Sequence, residues 1–329
     1  MAPGLYPWLR AIYADIAPSS QWHHAMLLKS AGGLAVEQLV QRLVELKHCQ
    51  QPTKSSAGPK ACGKCQHCLL HQSGSHPDHM VIEPTEGKSQ ISIEQIRRCA
   101  NQIHNKGLLS PYRLVQINQA ERMTLAAANA LLKVLEEPPS DVYFFLSTEQ
   151  GTQLLPTIIS RCSQYSITKP KSSATLAWLN KRVTQTITSN QLAIIDGSPL
   201  RAIALDSKNG FAVLEAVYEA YMQVLSGLHS VDLAALCLVF IDQSQQLIKE
   251  ESELELLNLM QHAHRHVLKA SLGAITDTKR QCTNIKGSET TILKLDAALI
   301  DLRQQIVQNK GINIPLQVQQ LIVNNAQRA

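Results

Sequence analysis

Apolar residues in the first half of the chain follow two kinds of pattern. The apolar run at residues 24–28 and the β-branched content of 113–117 predict strands, and the continuous apolar run VYFFL at 142–146 predicts a strand buried on both faces. Apolar residues three and four positions apart over 36–46, and a stretch rich in Ala and Leu over 124–137, predict helices. Strands that alternate with helices favour a parallel sheet with helices on both faces.

The second half of the chain shows only the helical pattern. Stripes of apolar residues at helical spacing recur at 211–228, 231–248, 253–275 and 291–307. A Lys-Pro-Lys-Ser-Ser stretch at 169–173 and a Lys-Asn-Gly stretch at 208–210 are typical of boundaries between domains. The sequence therefore predicts three parts: an α/β domain over 1–168, a small helical domain over 169–208 and an all-α domain over 209–329.

Composition narrows the class of protein. The chain has 329 residues, which suggests two or three domains, and its 44% apolar content excludes disordered and fibrous classes. A net charge of +5 and a pI near 8.7 fit an acidic partner but are too mild to indicate nucleic-acid binding. The sequence has no run of eighteen apolar residues and no signal-peptide pattern at its start, so we expect a cytoplasmic protein without a membrane span.

The strongest chemical signal is a cluster of cysteines. Cys49, Cys62, Cys65 and Cys68 lie within twenty residues. Two Cys-x-x-Cys steps let neighbouring thiolates converge on one ion, and a fourth cysteine after a predicted helix can close a tetrahedral site. The surrounding stretch 50–78 is polar and is expected to be an irregular insertion, so a metal would supply folding energy that it otherwise lacks. We therefore predict one structural zinc ion on these four cysteines.

Other interpretations of the cysteine cluster stay open. The cysteines could be reduced thiols in a loop, or one Cys-x-x-Cys could be a redox pair, although a redox pair does not need three evenly spaced cysteines. Four nearby histidines could replace one cysteine as a ligand, although we expect them to be solvated surface side chains. They are His67, His71, His76 and His79.

The first strand–turn–helix unit occupies the place of a phosphate-binding loop but lacks the residues of one. A working loop reads G-x4-G-K-[S/T], with backbone amides and a lysine for the phosphates and a hydroxyl for magnesium. Alignment of the strand and helix puts Ser30 and Ala35 at the two glycines, Val36 at the lysine and Glu37 at the hydroxyl position. Loss of an ammonium and gain of a carboxylate both disfavour a polyphosphate, so these residues predict no nucleotide function.

The strand at 113–117 shows the same loss. An ATPase places an acidic pair at the end of such a strand to hold magnesium and position water. Here the pair is Asn118-Gln119, two amides that keep the shape of the acids and lose their charge. Both halves of an ATP site are therefore degenerate.

Three strings of residues resemble the clamp-loader branch of the AAA+ proteins. Residues 129–139 (NALLKVLEEPP) look like its helix signature, 142–148 (VYFFLST) look like its following strand, and 156–162 (PTIISRC) look like its Ser-Arg-Cys element. With the four-cysteine insertion, the chain is similar to bacterial DNA polymerase III clamp-loader subunits, most closely over 20–165. The degenerate ATP site places it with the delta-prime branch of that family, whose members do not hydrolyse ATP.

This resemblance implies an architecture and a set of partners. The expected fold is an AAA+-like P-loop-type α/β domain, a helical lid and a helical collar that joins subunits in a ring. The expected role is a rigid wall of the ring that loads the sliding clamp on primed DNA during replication. Partners would be the gamma/tau ATPase subunits and the delta subunit, within a DNA-directed DNA polymerase holoenzyme. No ATPase activity is expected of the chain alone.

The resemblance also gives Arg161 a role. An arginine after an apolar helix is usually a surface or ion-pair residue. In this family the arginine of the Ser-Arg-Cys element reaches the ATP of the adjacent subunit, where it neutralises charge that develops on the γ-phosphate. Ser160 and Cys162 would support its position.

Two rival functions stay open at this stage. The chain could be an ATP-hydrolysing clamp-loader subunit with an unusual loop, which micromolar ATP binding by the isolated chain would indicate. It could also be a zinc-dependent DNA-binding accessory protein. The insertion carries few cations for that role, namely Lys54, Lys60 and Lys64.

Overall fold

A computed structural model of the chain separates into two compact units, residues 1–170 and 171–329. It describes residues 5–19, 22–55, 58–85, 88–149, 154–207, 210–225, 252–271, 289–308, 313, 316–318 and 320. The predicted helical stripe at 231–248 lies outside the described residues.

The first unit is built on a parallel sheet. The strands of the unit are β1 (Ala25–Ser30), β2 (Thr53–Ser55), β3 (Gly58–Lys60), β4 (His79–Ile82), β5 (Arg113–Ile117), β6 (Val142–Thr148) and β7 (Ser163–Ile167). Five of them form the sheet in the order β4-β5-β6-β1-β7, and every neighbouring pair is parallel. The predicted α/β class with a parallel sheet is confirmed.

Helices cover both faces of this sheet. The helices of this unit are α1 (Arg10–Ile16), α2 (Val36–His48), α3 (Gln66–Gln72) of the insertion, α4 (Ile93–Ile103), α5 (Leu125–Glu136) and α6 (Pro156–Ile159), with 3-10 turns at Pro7–Leu9 and Ala120–Arg122. Alternate side chains of β1 enter different cores. Ala25 and Leu27 pack in the cluster with α4 and α5, whereas Met26 and Leu28 pack in the cluster with α1 and α2.

Local sequence explains where the main helices of this unit begin and end. Ser92 and Gln95 form a capping box at the start of α4. The side chain of Thr124 accepts a hydrogen bond from the Ala127 N–H at the start of α5. The Pro138-Pro139 pair follows α5 after one residue, Glu137, and cannot continue the helix.

The insertion is more ordered than the sequence predicted. We expected an irregular stretch over 50–78, but β2 and β3 form an antiparallel hairpin there and α3 follows. The hairpin and helix bring distant cysteines together without a large apolar core. The expectation failed because α3 buries His67, Cys68 and His71 rather than aliphatic residues, so it lacks the usual apolar stripe.

A buried aspartate organises the loop before β5. The carboxylate of Asp78 is fully buried and accepts the backbone N–H groups of residues 108–110 at 2.7, 2.8 and 2.9 Å. The guanidinium of Arg113 lies 4.0 Å from the same carboxylate. Burial alone would raise the pKa of Asp78, but the three N–H groups and Arg113 outweigh it and lower the pKa.

We expect Asp78→Asn to lower the free energy of unfolding by about 3 kcal/mol at neutral pH, because an amide cannot accept all three N–H groups and leaves Arg113 without its counter-charge. The folded-state pKa of Asp78 is lowered, so the stability it provides is present at neutral pH and is lost as the pH falls through that pKa. Urea unfolding followed by circular dichroism measures both effects. Asp141→Asn, the same change at an exposed site, is the control; equal stability of the two variants would contradict the prediction.

The second unit is helical throughout its described part. Its helices are α7 (Ser172–Leu179), α8 (Ser189–Ile194), α9 (Pro199–Asp206), α10 (Gly210–Leu225), α11 (Ser252–Ser271) and α12 (Glu289–Gln308). All six contribute to one hydrophobic cluster, in which the predicted stripe residues Phe211, Leu214, Val217 and Tyr221 are buried. The predicted helical C-terminal region is confirmed, and the boundaries at 168 and 208 stay predictions. No described helix is long and apolar enough to cross a membrane.

Candidate functional site

The fold brings the four clustered cysteines together. Cys49 caps the end of α2, Cys62 follows β3, and Cys65 and Cys68 lie at the start of α3 and within it. Their Sγ atoms all lie within 4.8 Å of one another. Cys68 Sγ is 3.5 Å from Cys65 Sγ and 3.9 Å from Cys62 Sγ. Sulfurs about 2.3 Å from a tetrahedral zinc ion lie about 3.8 Å apart, so this arrangement fits such an ion.

The surroundings of the cysteines act on their ionisation in opposite directions. Backbone N–H groups donate to sulfur, from Cys62 to Cys49 Sγ at 3.2 Å and from Cys65 to Cys62 Sγ at 3.3 Å. Backbone N–H groups of Lys64 and Cys65 lower the pKa of Cys62 to about 6, whereas burial raises the pKa of Cys68. Four thiolates this close repel one another, so a bound cation is what would allow all four to ionise.

The nearby histidines form a second buried cluster. His48, His67, His71 and His76 are each at most 6% exposed. The expectation that His67, His71 and His76 are solvated was therefore wrong, because α3 and the turn after it press these rings against the end of α2. Burial is the main cause that lowers the pKa of both His48 and His71 to about 3, so both rings are neutral at pH 7.

Hydrogen bonds pair the buried histidines with one another. His48 Nε2 donates to the Tyr112 carbonyl at 3.1 Å, which leaves His48 Nδ1 to accept from His71 Nε2 at 2.8 Å. The Asp78 N–H donates to His76 Nδ1 at 3.2 Å, so His76 Nε2 donates to His67 Nδ1 at 2.8 Å. The neutral rings therefore act as hydrogen-bond donors and acceptors for one another in the core.

Ring geometry argues against a metal ion on the histidines in this arrangement. Nitrogens of His48, His71 and His76 lie within 4.8 Å of one another. However, the rings of His48 and His76 are stacked at 4.1 Å with an angle of 6° between their planes. A metal binds in the plane of an imidazole, so two parallel stacked rings cannot both direct a lone pair at one ion. The four cysteine sulfurs form one group without a histidine nitrogen among them, so the four cysteines are the better ligand set.

Carboxylates line the place where an ATPase would bind phosphates. A methyl group on Gly32, in the loop between β1 and α2, would lie 3.0 Å from Glu149 Oε2. The Glu149 N–H in turn donates to Glu121 Oε1 at 3.2 Å. Burial raises the pKa of Glu37, and the Coulomb effects of Glu121 and Glu83 add to the increase. A polyphosphate would meet negative charge from several sides here.

The predicted degenerate residues lie around the same crevice. Ser30 ends β1, and Ala35 precedes α2 in a left-handed conformation with φ of 56°. Asn118 follows β5, and its Nδ2 donates to Glu83 Oε2 at 3.0 Å, while Gln119 also has a positive φ of 52°. The carboxyl ends of parallel strands are where such sheets bind ligands. In this chain that edge carries amides and acids.

Arg161 lies on the surface after α6. Its side chain is 34% exposed and its Nη2 donates to Glu136 Oε1 at 2.7 Å. Its Nη1 donates to the Thr157 carbonyl at 3.0 Å and lies 3.5 Å from Ser160 Oγ. Cys162 is buried in the core with α5, and burial raises the pKa of its thiol to about 11, so it is a neutral packing residue.

Comparison with known proteins decides the family. A family model described as DNA polymerase III, delta subunit matches residues 9–171. The DNA polymerase III subunit delta' of Escherichia coli (strain K12) is 34% identical over 220 residues, which cover 65% of each chain. That of Yersinia pestis is 35% identical over 231 residues, which cover 67% of each chain. The chain belongs to the delta-prime family of DNA polymerase III subunits.

Another delta-prime relative aligns over nearly its whole length. The subunit from Buchnera aphidicola subsp. Acyrthosiphon pisum is 27% identical over 324 residues, which cover 90% of this chain and 97% of that one. In the Escherichia coli relative the matched stretch covers 65% of the length, just under two thirds. The resemblance to the delta-prime branch inferred from residues 20–165 is confirmed.

The carboxylates around the crevice were not predicted as site residues. Glu83 follows β4, Glu149 follows β6, and Glu121 lies in the turn after β5. Each comes from a different loop at the carboxyl edge of the sheet, and the order of the strands brings these loops together. The signal that could have found them is their position directly after predicted strands.

Proposed function

We propose that the chain is a clamp-loader subunit that does not hydrolyse ATP. It forms a fixed wall of the ring that opens the sliding clamp and loads it on primed DNA in the cytoplasm. Its neighbours are the gamma/tau ATPase subunits and the delta subunit. The observation that carries the proposal is the crevice at the carboxyl edge of the sheet, where the carboxylates of Glu149 and Glu121 lie beside the loop that would hold the phosphates in an ATPase.

Electrostatics in the crevice oppose nucleotide binding. ATP binding in a loop of this kind uses a lysine at the position of Val36 and a hydroxyl and acids for magnesium. Here Glu37 has a raised pKa because burial and two further carboxylates disfavour its charged form. A triphosphate would add several negative charges to this group. The crevice therefore suits a structural rather than a catalytic role.

Arg161 supplies the active contribution of the subunit. Its guanidinium is partly exposed at the end of α6, on the Ser-Arg-Cys element. We propose that it reaches the γ-phosphate of ATP on the neighbouring subunit, with Ser160 as a supporting contact. An arginine suits this role because it stays charged and can bind two phosphate oxygens at once.

The insertion holds a structural metal in this proposal. Zinc on Cys49, Cys62, Cys65 and Cys68 would tie the end of α2 to α3, since the four sulfurs all lie within 4.8 Å of one another. The helical second unit provides the lid over 169–208 and the collar over 209–329, which joins this subunit to the others.

We expect the isolated chain to show no binding of Mg-ATP up to about millimolar concentration, because the carboxylates of Glu37, Glu121 and Glu149 lie around the crevice and repel a polyphosphate. Isothermal titration calorimetry measures this directly. An ATPase subunit from the same loader is the positive control. Micromolar affinity, with hydrolysis in the presence of clamp and primed DNA, would instead indicate an ATP-hydrolysing member of the family.

A further inference from the structure

An acidic residue of α5 contacts the proposed arginine finger. Glu136 is the last residue of α5, and its Oε1 lies 2.7 Å from Arg161 Nη2. The two residues are 25 positions apart in the sequence and belong to different elements. The neighbouring residue Glu137 is also exposed but is not part of this ion pair.

Glu136 is fixed by its place in the helix. Leu131 and Leu135, which precede it in α5, are buried in the core and hold the helix in place. Glu137 then leaves the helical conformation, with φ of −126° and ψ of 68°, ahead of two prolines. The backbone that carries the Glu136 carboxylate is therefore held by the core on one side and by a sharp helix end on the other.

The arginine is held from two directions. Nη2 is bound by Glu136, and Nη1 is bound by the Thr157 carbonyl at 3.0 Å. The Arg161 N–H donates to the Ile158 carbonyl at 3.1 Å, which also fixes its backbone. Among the described residues, the Nε–H and the second Nη2 hydrogen have no acceptor. Two donors thus remain for phosphate oxygens while both anchors are kept.

We infer that Glu136 is a positioning residue for Arg161. It holds the guanidinium on the face between α5 and α6, so that the side chain enters the neighbouring ATP site already oriented. A free arginine side chain loses conformational entropy when it is fixed, and an arginine that is held beforehand has already lost most of it. The inference rests on the proposed function of Arg161 as a finger in trans.

Solvent exposure of Glu136 and Arg161 limits how far their ion pair can change the rate of ATP hydrolysis. The Glu136 side chain is 50% exposed and that of Arg161 is 34% exposed, so solvent screens the attraction between them. We therefore expect Glu136→Gln to lower the rate at the ATP site served by Arg161 by about two- to fivefold, without a change in KM for ATP. Loss of orientation affects kcat because the finger acts on charge that develops in the transition state.

A double-mutant cycle in the reconstituted loader tests the inference. Single-turnover ATP hydrolysis with clamp and primed DNA is measured for the wild type, Glu136→Gln, Arg161→Ala and the double variant. Glu137→Gln is the matched control, because it removes the adjacent exposed carboxylate. If Glu136 acts through Arg161, the double variant is as slow as Arg161→Ala alone, and Glu137→Gln resembles the wild type.

Each other outcome has a definite meaning. A loss with Glu136→Gln that persists in the Arg161→Ala background would show a structural role and overturn the inference. Wild-type activity or faster hydrolysis with Glu136→Gln, together with a slow Arg161→Ala variant, would overturn the positioning role and leave the finger intact. Wild-type activity of Arg161→Ala in an intact ring would overturn the finger role on which the inference rests and restrict the subunit to a scaffold role.

Discussion

Replacement of Arg161 with alanine is expected to slow ATP hydrolysis at the neighbouring subunit's site by about a thousandfold or more. Arginine fingers supplied in trans contribute roughly 10³ to 10⁵ to turnover because they stabilise negative charge in the transition state of phosphoryl transfer. Rapid chemical quench of the loader with clamp and primed DNA measures this rate. The amplitude of the fast phase of hydrolysis should fall by the share of that site, while ATP at the other sites is still hydrolysed rapidly.

Two controls separate the finger from assembly. Size-exclusion chromatography must show equal ring formation by the wild type and Arg161→Ala. We expect this result because the Arg161 side chain is partly exposed and its ion pair with Glu136 contributes little to stability. Arg97→Ala, an exposed arginine on α4, should leave hydrolysis unchanged. Unchanged hydrolysis with Arg161→Ala in an intact ring would restrict this subunit to a scaffold role.

Strong local patterns made most of the first unit predictable. The continuous apolar run of β6 and the Ala- and Leu-rich stretch of α5, stopped by two prolines, predicted elements that the structure contains. Strand β7 was not predicted, because its sequence SQYSI is mostly polar and only Ile167 is buried. It lies at the edge of the sheet beside β1, so it needs few apolar residues.

Spacing in the sequence predicted which cysteines meet but not what surrounds them. Two Cys-x-x-Cys steps are a local signal, since cysteines three positions apart can direct their sulfurs at one ion. The pairing of His48 with His71 depends on how α3 packs against α2, which no local pattern reveals. The contact of Glu136 with Arg161 likewise joins two elements 25 residues apart. Such contacts follow from tertiary packing rather than from periodicity.

Loss of one cysteine ligand is expected to remove the metal and unfold the insertion. Cys68 is the most buried of the four and contacts two others, so Cys68→Ser should reduce the metal content from about one zinc per chain to near zero. Structural zinc sites provide about 10 kcal/mol or more of apparent binding energy at pH 7, which a stretch with few aliphatic residues cannot replace. Residues 58–72 should then exchange their amide hydrogens rapidly, while the sheet stays protected.

Metal analysis and cobalt substitution measure this effect and identify the ligands. Cobalt bound to four thiolates gives strong sulfur-to-metal charge-transfer absorption, which Cys68→Ser should abolish. Cys99→Ser changes a lone buried thiol in α4, and His71→Asn changes the histidine cluster; both should keep the metal. Loss of zinc with His71→Asn but not with Cys68→Ser would move the site to the histidines. A wild-type chain purified without zinc, and unable to bind it, would mean that the four cysteines are reduced thiols held by the fold alone.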